Sequence, residues 1–63
     1  MNEEFALIVS KIQDEANNVA NLLSTGRVES HEEYKRLCGV IQGYARASEI
    51  VEELAKTLET ADD

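Results

Sequence analysis

Apolar residues recur along this chain at steps of three and four, in two separate series. Such spacing gathers them on one side of an α-helix, because about 3.6 residues complete a turn. The first series is Phe5, Ile8, Val9, Ile12, Ala16, Val19, Ala20 and Leu23, with Lys11, Asp14, Glu15 and Asn18 off it. The second is a coiled-coil-like heptad series, Tyr34, Leu37, Ile41, Tyr44, Ser48, Val51, Ala55 and Leu58, in which only Ser48 is polar. No proline interrupts either series, and no strand-like alternation persists. The predicted fold class is therefore all-α, an antiparallel two-helix hairpin forming a single domain over residues 1–63.

Local signals place the ends. Asn2 suits an N-cap, and Glu3 and Glu4 complement the positive end of the helix dipole. The first helix is predicted over residues 3–24, ended by Gly26 in a left-handed cap. Residues 25–29 form a short connection of the length seen in helical hairpins. Ser30 followed three residues later by Glu33 reads as a capping box. The second helix is predicted over residues 31–59, with residues 60–63 fraying.

The second helix carries a further stripe, Val40, Ala47, Ile50 and Leu54, beside the heptad series. Together the two stripes cover more than half of its circumference, wider than one partner helix needs. At 1.5 Å per residue the helices measure roughly 33 and 43 Å, so the second is expected to overhang by about two turns. Leu54 and Leu58 then fall on the overhang, where leaving both in water forgoes roughly 3–6 kcal/mol of burial. A chain of this size usually needs a disulfide, a metal or self-association to be stable. With one cysteine, Cys38, and one histidine, His31, self-association remains, most simply as a four-helix bundle, otherwise as a larger oligomer.

Gly39 and Gly43 have the G-x-x-x-G spacing, extended by Ala47. Two glycines inside a helix cost about 2 kcal/mol relative to alanine, and close approach of another helix backbone would offset that. In the expected register Gly39 lies opposite Ala16. Packing within the chain, packing between chains and backbone room for another partner all remain open. The expected association face is Gly39, Gly43, Tyr44, Ala47, Ile50, Val51, Leu54 and Leu58.

Chemistry has little to work with. Cys38 is expected to be a small buried hydrophobe, His31 an exposed side chain at a helix start, and Tyr34 and Tyr44 packing residues. Glu32 and Arg36 have the spacing of a helix-supporting ion pair. No Glu-x-x-His pair, calcium loop, phosphate-binding glycine loop, serine elbow or Cys-x-x-Cys is present. The chain is expected to use no cofactor or metal and to be no enzyme.

Charge narrows the partners. The chain has 13 acidic and 6 basic residues, a formal charge of -7. Residues 1–26 hold four acidic and one basic side chain, net -3; residues 27–46 three and four, net +1; residues 47–63 six and one, net -5. Such acidity opposes nucleic-acid binding, which wants clustered Lys and Arg. It allows an alternative reading as an acidic inhibitor or DNA mimic that binds a basic protein partner. A further alternative is RNA or DNA binding across a composite dimer face. The longest apolar run, residues 5–9, is too short for a bilayer, and no signal-peptide pattern occurs. A lone cysteine fits a reducing compartment, so a cytoplasmic location is expected.

The segment Tyr34-Lys35-Arg36-Leu37-Cys38-Gly39-Val40-Ile41-Gln42-Gly43 resembles a pattern in small tailed-bacteriophage helical-hairpin proteins. In these, a Tyr-x-x-Leu-Cys/Val-Gly-x-Ile-x-Gly core precedes an alanine-containing helix and an acidic tail. Here Ala45, Ala47 and Ile50 and the ending Asp62-Asp63 continue the likeness, which covers about half the chain. The resemblance implies a phage product of the head or packaging gene region, located in the host cytoplasm or the virion and contacting itself and a larger protein. In plan alone the chain is also similar to the plasmid copy-number proteins that dimerise into a four-helix bundle and hold RNA; no motif is shared.

Overall fold

The computed structural model describes residues 2–61, which form two α-helices, α1 (Glu3–Ser24) and α2 (His31–Ala61), and no strand among them. The start of α1 is fixed as its sequence requires. The Asn2 side-chain oxygen accepts the Phe5 backbone N–H at 2.9 Å, and Glu3 and Glu4 occupy the first turn. At the other end Thr25 is the C-cap, and its backbone N–H and hydroxyl both donate to the Asn21 carbonyl. Gly26 follows with φ +73°, the left-handed conformation that a side chain disfavours. Ser30 Oγ then accepts the Glu33 N–H at 3.1 Å and opens α2.

α2 runs two residues beyond its predicted end, and the connection comprises residues 25–30. Asp62 and Asp63, expected in the fraying end, lie outside the described residues.

The helices pack antiparallel along one seam. Phe5, Val9, Ile12, Ala16, Val19 and Leu23 are the covered residues of α1, in alternating steps of four and three. Leu37, Ile41, Tyr44, Ser48, Val51 and Ala55 answer them on α2 with the same alternation. This is the heptad geometry of two left-handed supercoiled helices. Two cavities fix the register. Phe5 and Asn2 share one with Ala55, Leu58 and Glu59, and Ala16 shares another with Tyr44 and Ser48. Stepping the heptads between these anchors sets Val9 against Val51, Ile12 against Ser48, Val19 against Ile41 and Leu23 against Leu37.

This register corrects two expectations. Ala16 meets Tyr44 and not Gly39, and a Cβ built at Gly39 or Gly43 would touch nothing within 4 Å. The glycines therefore allow no close packing inside the hairpin. The overhang of α2 is also shared between its two ends, because the connection lies beside its first turn. Leu54 is not on an overhang: its neighbour Ala55 is buried to 3% exposure. Leu54 is exposed because it points off the seam.

Candidate association face

Only Val9, Leu37 and Ala55 are buried among the described residues, and no large side chain is wholly out of solvent. The seam is one side chain deep, so each buried residue touches fewer neighbours than in a layered core. Much apolar surface remains outside it: Ile8 is 45% exposed, Leu22 40%, Ile50 50% and Leu54 49%.

The position of each relative to the seam decides where these side chains go. Ile8, Glu15 and Leu22 immediately precede the seam residues Val9, Ala16 and Leu23; Val40, Ala47 and Leu54 immediately precede Ile41, Ser48 and Ala55. In an antiparallel helix pair the preceding positions of both helices emerge on one broad face, and the following positions on the other. The second face can be checked directly. Gln13 and Ala45 follow the seam residues Ile12 and Tyr44, and both line one groove with Asn17, Glu49 and Glu52. That face is polar, carrying Glu52 and Glu59 with Lys56 beside them. The first face carries a continuous apolar stripe on α2, Val40, Gly43, Ala47, Ile50 and Leu54, and on α1 Ile8 and Leu22 set among Glu4, Lys11, Glu15 and Asn18.

The residues expected at an association face fall into separate places. Gly43, Ala47, Ile50 and Leu54 lie on the apolar broad face. Tyr44 and Val51 are half-buried in the seam and already serve the hairpin. Leu58 continues the seam beside Asn2 and Phe5. Gly39 shares the outer edge of α2 with Arg46 and Glu53, seven and fourteen residues on. Sequence reasoning missed Ile8 and Leu22 as members of the exposed face. Ile8 and Ala20 had been grouped with the buried stripe, yet both are exposed. Their signal was position: each sits beside a seam residue and not in the four-three alternation itself.

The polar surroundings are local and solvated. Arg36 pairs with Glu33 at 3.2 Å, one residue nearer than the expected partner Glu32. On the outer edge Arg46 donates to Glu49 at 3.0 Å and to Glu53 at 3.5 Å. The hydrogen bond to Glu49, then the charge of Glu53, raises the Arg46 guanidinium above its ordinary value, so it stays charged. His31 is exposed and stacks on Tyr34, ring centres 6.4 Å apart; Tyr34 is itself half-exposed, because it lies beyond the end of α1. Cys38 is a free thiol, half-buried rather than buried, on the flank following Leu37.

No protein family, curated protein or solved structure matches the chain.

What the arrangement can do chemically follows from its surfaces. Among the described residues no three His, Cys, Asp or Glu side chains gather where they could hold a metal ion, and no helix is long and apolar enough to cross a membrane. The groove between the helices is open, and its polar groups converge on no common point. Apart from Leu7 on the outer side of α1 and Leu58 at the end of the seam, the exposed large aliphatic side chains, Ile8, Leu22, Ile50 and Leu54, lie on the first broad face.

Proposed function

We propose that this protein is a non-enzymatic interaction protein that associates with itself and serves in assembly, through the apolar broad face of its hairpin. The observation that carries the reading is the imbalance between a core of three buried residues and a face of half-exposed Ile and Leu side chains. Covering what remains exposed on one such side chain stabilises by about 1 kcal/mol, half the value for full burial. Four of them contribute several kcal/mol per chain, a large share of the stability of so small a fold. The likeness of residues 34–43 to small phage proteins adds a setting, the assembly of a phage head or its packaging apparatus, with a larger protein as further partner. Light-scattering mass across a concentration series tests the core of the reading. A species heavier than the 7.0 kDa chain is expected; a folded single chain at every concentration overturns it.

A second reading rests on a different surface. Glu49, Glu52, Glu53 and Glu59 are all exposed on the second half of α2. They suit a basic protein surface, as in an acidic inhibitor, and such binding weakens steeply as salt rises.

A further inference from the structure

We propose that a second copy of this chain docks antiparallel on the apolar broad face, related by a two-fold axis at the level of Ala47 and Glu15. The inference rests on the self-association reading and adds the occupant, its orientation and its register.

The spacing on α2 points to a helix as occupant. Val40, Gly43, Ala47, Ile50 and Leu54 follow one another in steps of three, four, three and four. That is a second complete seam, about a quarter-turn round the helix from the first, and it matches what a helix needs from each of two neighbours in a four-helix bundle.

The order of sizes makes the seam complementary to its own reverse. Turning a copy end over end about Ala47 sets Val40 against Leu54 and Gly43 against Ile50. The large Ile50 side chain then enters the space left by a glycine whose Cβ position is open for at least 4 Å. α1 shows the same symmetry about Glu15, which sets Ile8 against Leu22. The two centres lie close together. In the observed register Glu15 is the flank position of α1 nearest to Ala47, two residues or about 3 Å along the axis, so one axis, slightly tilted, passes between both helix pairs.

Charge selects this orientation. Antiparallel docking lays the half of α2 within residues 31–46, net +1, beside the partner's residues 47–61, which hold four acidic and one basic side chain, net -3. Parallel docking would set the two net -3 segments at the same end.

The geometry has a cost at its centre. The two Glu15 carboxylates approach each other at the axis, with Lys11 of each chain one turn away. Like charges so placed oppose docking.

The experiment combines mass with engineered thiols in the full chain. In a Cys38→Ser background, Ala47→Cys is expected to form a covalent dimer rapidly under mild oxidation, since the axis brings the two positions together. Gly39→Cys, on the outer edge, is the control and is expected to cross-link only at the collisional rate. Glu15→Leu is expected to tighten the dimer about tenfold or more. A dimer by mass in which Ala47→Cys links no faster than Gly39→Cys overturns the register and leaves self-association standing. A Glu15→Leu variant that loosens the dimer overturns the shared axis. A folded chain of single mass overturns both.

Discussion

Ala16 on α1 and Tyr44 on α2 line one groove across the seam, the smallest residue of one helix's stripe against the largest of the other's. Their pairing lets the two backbones run at even separation although the side chains differ in size. Ala16→Leu overfills the contact and is expected to destabilise the hairpin by about 1–3 kcal/mol. Urea denaturation read by circular dichroism measures it, and an unchanged midpoint would place Tyr44 elsewhere.

Leu37 is one of the few buried side chains, at the level where α1 ends. Leu37→Ala leaves a cavity worth about 2–5 kcal/mol. In a fold with so little core, that is expected to abolish the cooperative thermal transition at low protein concentration.

The two glycines of α2 should respond differently to alanine. Both positions are open in the single hairpin, so each substitution gains about 1 kcal/mol of helix propensity. Gly39→Ala is expected to keep that gain. Gly43→Ala is expected to lose part or all of it at concentrations where the chain associates, because Ile50 of the second copy needs the space. Melting temperature against concentration separates them; identical curves would remove Gly43 from the interface.

Leu54→Asp places a carboxylate on the apolar stripe of α2, opposite Val40 of the second copy, while leaving the seam intact. Association is expected to weaken by a hundredfold or more, about 3 kcal/mol, as a charge loses its hydration. Sedimentation equilibrium reads the change, and an unaltered mass distribution would exclude the face.

Salt discriminates the two readings of function. Contacts between apolar side chains change little from low to high ionic strength, whereas charges more than a Debye length apart, about 10 Å at 0.1 M, are screened. Self-association is expected to hold or tighten at 0.5 M salt. A partner captured at low salt and released there would shift weight to the carboxylates of α2.

Much of this fold is legible residue by residue. Asn2, Gly26 and Ser30 mark ends with chemistry that acts within four residues, so no knowledge of the partner helix is needed. The pairing of Ala16 is another matter. Heptad stripes fit each other in several registers, and the choice depends on the path of residues 25–30, which run beside the start of α2 and shift the match from Gly39 to Tyr44. Ile8 and Leu22 were obscured for a related reason. An apolar stripe wider than one seam divides into inner and outer parts only once the opposing helix is in place. Arg36 chose Glu33 over Glu32 because spacings of three and four are both within reach on a helix.

The second broad face, with Glu52, Glu59 and Lys56 around its groove, has a consequence for growth. If two hairpins meet through the first face, as proposed, a third arriving on this side meets mainly hydrated charge, which favours a closed pair over a fibre.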